Sequence, residues 1–162
     1  MALDVNEWRW YCSGMASLKY YDVERETLPQ KILQGVVLGK DVDRELRRVC
    51  RHFGVPTIKW ELWEKDHSCY TPGGYGGAAP SFKFSRRTYV SKGSEVPFIY
   101  LHHFLHEIAH YLDDCQRSKE IEFVFRNDTR NYVRRSATIR RAKWHGPRHR
   151  AQMLVLVKWW LN

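Results

Sequence analysis

Residues 106–110 read His106-Glu107-Ile108-Ala109-His110, two imidazoles four positions apart with a carboxylate directly after the first. If the stretch is helical, four residues make about one turn, and both rings can reach one Zn²⁺ at about 2.0–2.1 Å. Glu107 then lies beside the ion. There it can take a proton from a water that the metal acidifies toward a pKa of about 7, and return it to a leaving amine. That chemistry is amide hydrolysis. A catalytic site of this type needs a third protein ligand and keeps a fourth position for water. The metzincin continuation fails, because Asp113 and Gln116 stand where its glycine and third histidine belong. Asp113, Asp114, Glu120 and Glu122 are carboxylate alternatives close downstream. His145, within Trp144-His145-Gly146-Pro147-Arg148-His149, is the better candidate. A histidine at a loop-to-helix junction has a fixed backbone, and Gly146 permits close approach to the metal helix. His149 is an alternative ligand or a proton donor. His102, one turn before His106, is a neighbour of the site or a surface residue.

These side chains need elements to carry them. Leu101, Phe104, Leu105, Ile108 and Leu112 recur at helical spacing, and Pro97 suits the first turn of that helix. On it, His106 and His110 lie about 140° and 180° round from Leu101 and so share a face. A last helix is expected over Pro147 to Leu161. Upstream, Asp41 is placed to cap a helix with Asp43 and Glu45 in its first turn. Val42, Leu46, Val49 and Phe53 share one face of it, and Gly54 and Pro56 end it. Thr57 to Trp63 alternates as a half-buried strand does, with Ile58, Trp60 and Leu62 on one side. A second short strand holds Thr88, Tyr89 and Val90, and Ser91-Lys92-Gly93-Ser94 turns the chain. Tyr70 to Pro80, with Gly73, Gly74, Gly76 and Gly77, reads as a mobile hairpin or loop, and it lacks the lysine and spacing of a phosphate-binding loop.

At 162 residues and 43% hydrophobic the chain suffices for one domain with a sizeable core. Residues 1–40 carry Trp8, Trp10, Tyr11, Tyr20 and Tyr21 without a governing period and are treated as an N-terminal extension of open role, with the catalytic domain over 41–162. The four cysteines, Cys12, Cys50, Cys69 and Cys115, form no C-x-x-C pair and read as buried free thiols. No signal peptide or long apolar run is visible, so an intracellular, cytoplasmic or DNA-associated protein is expected. The net charge is +9, and residues 116–144 concentrate it: nine basic residues face only Glu120, Glu122 and Asp128. This basic insert is either a solvated face or a phosphate-contacting surface. The second reading assigns nucleic-acid contacts, single-stranded DNA preferred, to Arg126, Arg130, Arg134, Arg135, Arg140, Arg141 and Lys143, with Phe123, Phe125 and Tyr132 stacking on bases.

The helix motif His106-Glu107-x-x-His110, followed by His145-Gly146-Pro147 and an apolar final helix, resembles the SprT-like zinc metallopeptidases, whose eukaryotic members cleave DNA–protein crosslinks. The resemblance covers roughly Asp41 to Leu161. It implies Zn²⁺ on His106, His110 and His145, with Glu107 as catalytic base. His149 stands where the family usually has phenylalanine, the segment between the motifs is longer than usual, and the cysteine-rich zinc ribbon of some members is absent. The expected fold is α+β and zincin-like: one small, mostly antiparallel sheet, the metal helix and a C-terminal helix. Two other readings use the same residues. One is an ImmA/IrrE-like peptidase that cuts a repressor, against which the His-Gly motif argues. The other is a non-catalytic DNA-binding module with a structural zinc site.

Overall fold

The structure, a computed structural model, describes residues 26–74 and 77–162. Within these residues the chain forms an α+β arrangement of five helices and two three-stranded sheets. In order these are α1 (Gln30–Leu33), β1 (Val36–Leu38), a 3-10 turn (Gly39–Asp41), α2 (Val42–Phe53), β2 (Lys59–Trp63), β3 (Cys69–Thr71), β4 (Ser81–Ser85), β5 (Arg87–Ser91), β6 (Ser94–Tyr100), α3 (Leu101–Asn127), a second 3-10 turn (Thr129–Asn131), α4 (Tyr132–Arg141) and α5 (Pro147–Leu161). Among the described residues no helix is long and apolar enough to cross a membrane. Trp8, Trp10, Tyr11, Cys12, Tyr20 and Tyr21 lie outside them.

The expected single sheet is instead two. The first has the order β1-β6-β5 and is antiparallel throughout. The second has the order β2-β4-β3, with β2 and β4 parallel and β3 antiparallel to β4. The parallel pair is possible because residues 64–80 return the chain to the start of β4, and β3 folds back onto β4 within that return. The Gly-rich stretch is therefore not wholly irregular, since Tyr70 and Thr71 pair with Phe82 and Ser81. Phe82 and Phe84 are fully buried, and the apolar face they form lies against Tyr111 and Phe104 of α3.

α2 buries Val42, Leu46, Val49 and Cys50. Asp41 occupies the N-cap position without capping, because its carboxylate pairs with Arg44 at 3.1 Å instead. Gly54, at φ 66°, ends the helix with the paired bonds of a Schellman stop, Gly54 N–H to Arg51 and Val55 N–H to Cys50. Cys50 and Cys69 are buried and Cys115 is half-buried.

Pro97 does not open the metal helix. It lies in β6 opposite Thr88, just past Phe98, where the pairing with β1 stops. Proline is accommodated there because the strand has a partner on one side only. The β-favouring run Val96, Phe98, Ile99 and Tyr100 holds the backbone extended up to Leu101, and α3 starts from that residue. Residues before the expected domain start at 41 also pack into the core. Ile32 and Val37 belong to the core, and Leu101 N–H donates to the Gly35 carbonyl at 2.9 Å. A Cβ on Gly35 would meet Leu101 Cδ2 at 2.5 Å, so the α1–β1 corner is packed directly onto the start of α3.

α3 is the centre of the molecule, touching both sheets and packing against α4 and α5. All five residues of its expected apolar stripe are buried. So is the opposite face near the N-terminal half, where His102, His106, Glu107, His110 and Asp113 are covered as well. A helix that buries a polar face must supply partners for it.

Candidate metal centre

The N-terminal half of α3 builds the site from one side. His106 and His110 fall on one face because they are one turn apart, and the burial of this half of the helix fixes both rings. The remainder arrives from far along the chain. α3 runs on to Asn127, the chain reverses through Asp128–Asn131, and α4 returns antiparallel, so that residues 142–146 lie back beside His110. Gly146 then caps α5 and Pro147 takes its first position, where a missing N–H costs nothing. Gly146 is closely packed, but against Lys143 of its own turn rather than against the metal helix. A Cβ there would sit 3.1 Å from the Lys143 Cβ and carbonyl.

The result is a triangle of imidazole nitrogens. Nε2 of His106 lies 3.2 Å from Nε2 of His110 and 3.2 Å from that of His145, and the last two are 3.0 Å apart. A closed triangle of this kind has no hydrogen-bonding solution. Each neutral Nε2 is either donor or acceptor, so of three nitrogens two must share a role and face each other unfavourably. A cation at the centre removes the conflict. Two nitrogens bound at 2.0–2.1 Å to a tetrahedral ion are about 3.3–3.4 Å apart, close to the distances here. His106, His110 and His145 together can hold a metal ion. Burial, then the neighbouring His149, His106, His145 and Arg117, hold the His110 pKa well below the usual histidine value. The neutral ring that results is the form that ligates metal.

No family model matches the chain, and no curated protein or solved structure matches it. The site's chemistry is therefore read from its own residues.

Glu107 is 4% exposed and follows the first histidine on α3. His149 is not part of the triangle. Its Nε2 lies 3.1 Å from the His106 carbonyl oxygen, which can only accept, so the proton sits on Nε2 and is directed at that carbonyl. Its ring packs on His110 at 4.0 Å and His106 at 4.5 Å. His102 is buried with its ring edge toward His106 at 6.2 Å.

The four carboxylate alternatives are all engaged elsewhere. Asp113 binds Arg117 and Arg148, Glu120 binds Arg148, Asp114 accepts from the Tyr70 hydroxyl at 2.7 Å, and Glu122 pairs with Arg126 on the surface. Burial raises the Asp114 pKa, and burial beside Asp114 raises that of Tyr70 far above the tyrosine norm.

Two residues at the site escape a reading of the sequence. Trp144 stacks on His110 at 4.8 Å with planes 11° apart, and Tyr70 stacks on Trp144 at 6.1 Å, also at 11°. A column of three rings thus runs from the metal cluster to β3, the edge strand of its sheet. The place of Trp144 beside His145 is a signal that could have found it. Nothing in the sequence marks Tyr70.

Of the basic insert, Arg126, Arg130, Arg134, Arg135, Arg140, Arg141 and Lys143 lie on the end of α3, in the 3-10 turn that follows it, along α4 and in the turn after α4, on the outside of the molecule. Arg135 pairs with Asp128 at 2.9 Å. Phe123 and Phe125 are exposed beside them, and Tyr132 meets Phe125 edge-on at 5.3 Å. Arg117 stands apart from the other arginines, since it is buried.

Proposed function

We propose that the protein is a zinc-dependent metallopeptidase of zincin-like, SprT-like type. The observation that carries this reading is the convergence of three histidine nitrogens, two of them in a helical His-Glu-x-x-His motif, around one point with a buried glutamate next to the first. Three imidazoles suit zinc, and three protein ligands leave a position open, as catalytic rather than structural zinc sites do. A zinc ion held there supplies Lewis acidity, acidifying water and polarising the scissile carbonyl.

The chain's own residues do the rest. His106, His110 and His145 hold the ion through Nε2. Glu107 accepts the attacking water's proton on a carboxylate oxygen and delivers it to the leaving nitrogen. Trp144 covers one face of His110, Tyr70 backs Trp144, and the two exclude water from that side. β3 is an edge strand of its sheet among the described residues and lies next to the cluster, so substrate is recognised as an added strand through main-chain hydrogen bonds, with little sequence selectivity. Loosely structured protein segments fit that mode. The arginines on the outside of α3 and α4, with Phe123 and Phe125 between them, support a further part of the reading: the enzyme is gathered onto single-stranded nucleic acid and acts on proteins held there.

Turnover of an unfolded protein by zinc-loaded wild type, set against Glu107→Gln, tests the proposal. The amide cannot take the proton, so turnover should fall by several orders of magnitude while about one zinc per chain is retained. Equal cleavage by both proteins assigns the activity to a contaminant. Absence of cleavage by zinc-loaded wild type favours a non-catalytic metal site.

A further inference from the structure

His145 is the one ligand that does not sit on the metal helix, and the backbone around it is short of regular structure. Between the end of α4 and the start of α5 the main chain makes the turn bonds Ala142 N–H to Ile139 at 3.4 Å and Gly146 N–H to Lys143 at 3.1 Å. A ligand position requires that this turn be held precisely against α3.

Two arginines are arranged to do so. Arg117, buried on α3, donates from Nη1 to the carbonyls of Ile139 at 3.2 Å and Ala142 at 2.9 Å, and from Nη2 toward that of Lys143 at 3.4 Å. It therefore satisfies carbonyls at the end of α4 that no further helical turn can reach, and it extends to within two residues of His145. On the other side of the ligand, Arg148 in the first turn of α5 donates from Nε to Asp113 Oδ1 at 2.8 Å and grips Glu120 with both Nη atoms at 3.0 and 2.9 Å. Both arginines converge on one carboxylate, because Asp113 Oδ2 takes Arg117 Nε at 2.9 Å and Nη2 at 2.7 Å. Asp113 is 1% exposed and lies three residues beyond His110 on the same helix. The four groups balance in charge, two guanidiniums against two carboxylates.

We infer that Arg117 and Arg148, joined through Asp113, are positioning residues that fix His145 at the metal and thereby set the affinity of the site. The inference rests on the metal reading above and assigns new roles to its parts. Arg117 is not a nucleic-acid contact, and Asp113 and Glu120 are not ligands but the anchors of the ligand's turn. A lysine cannot replace Arg117, because one ammonium does not reach three carbonyls and a carboxylate at once, as the planar fork does.

The test measures Zn²⁺ affinity of the full chain by competition with a chromophoric chelator. Arg148→Gln is the first variant, since Arg148 is 28% exposed on its side chain and its removal leaves Asp113 still paired with Arg117. Arg117→Lys is the second and retains the buried charge. Each should weaken zinc binding about 10–100-fold, the range typical of residues that orient a metal ligand, while the metal-free melting profile remains cooperative. The decisive comparison is in a His145→Ala background, where neither substitution should weaken binding further, because the ligand it positions is gone. Zinc affinity unchanged in both variants, with His106→Ala still losing metal, overturns the positioning role and leaves the metal site standing. Equal weakening with and without His145 overturns it too, by showing that the network acts on the fold at large. If His106→Ala binds zinc as wild type does, the metal reading itself fails and this inference fails with it.

Discussion

His149→Phe removes one imidazole from the four crowded around the cluster while keeping a ring in place. It separates the ligand role, the proton-donor role and the packing role of that residue. In the structure His149 is buried, its Nε2–H donates to the His106 carbonyl at 3.1 Å, and its ring packs on two ligands. That carbonyl lies inside α3 and keeps its helical bond from the His110 amide, so loss of the side-chain bond costs about 1 kcal/mol or less. Phenylalanine leaves no donor stranded and gains roughly 1–2 kcal/mol from the more apolar ring, offset by the strain of one extra ring atom. The terms nearly cancel. At roughly 2–4 °C per kcal/mol for a chain of this size, the melting temperature should stay within about 4 °C of wild type. His149→Ala, which leaves a hole, should lose about 2–4 kcal/mol, or roughly 4–16 °C. Zinc affinity of the phenylalanine variant should stay within about threefold of wild type, well short of the loss expected for a residue that ligates or orients a ligand. Melting curves, chelator competition and turnover of an unfolded substrate read the three roles separately. A folded His149→Phe protein that loses zinc, or keeps zinc but loses turnover, refutes the packing assignment.

Three other outcomes are expected. Burial raises the Asp114 pKa in the folded state, so its contribution to stability is present below the ordinary carboxylate range and is lost as pH rises through the folded value. Asp114→Asn keeps an acceptor for Tyr70 and should melt higher than wild type at pH 7, with the advantage shrinking on acidification; no gain at pH 7 contradicts the assignment. Burial pushes the Cys50 thiol up to about 11, leaving about one part in a thousand as thiolate at pH 8. Iodoacetamide should spare Cys50 in native protein and label it on denaturation, as mass spectrometry of digests would show. Replacing Arg134, Arg135, Arg140 and Arg141 with serine should cut affinity for single-stranded DNA and flatten its salt dependence by about one unit of slope for each phosphate no longer neutralised. Zinc content should be preserved, and unchanged DNA affinity would leave these arginines as a solvated surface.

The helix motif and its partner His145 are legible in the sequence because their chemistry is local: spacing fixes which histidines share a face, and a proline marks where α5 begins. α2 and its stop at Gly54 are legible for the same reason. The long-range features are not. Phe82-Lys83-Phe84 is too short an alternation to announce β4, and Tyr70 becomes an edge-strand residue only through pairing with Phe82. Pro97 satisfies a local rule for helix starts, and the pairing of β6 with two neighbours outweighs it. Arg117 reads as one more surface cation, because composition cannot tell an exposed guanidinium from one inside a helical hairpin. Asp113 and Glu120 have the spacing of possible ligands, and only the fold brings Arg148 across them.

The hairpin that carries His145 back to His106 and His110 also limits how this chain can change length. α3 beyond His110 and the whole of α4 act as two rods, and each residue inserted into either would advance the downstream backbone by about 1.5 Å and rotate it by about 100°. A single insertion in α4 would therefore swing the ligand's turn away from Arg117 and out of reach of the cluster. The bend at Asp128–Asn131 lies at the far end of both rods and carries no such constraint. Additions there alter the reach of the arm and leave the three histidines as they are, so the bend is the place for a peptide tag or a labelling site.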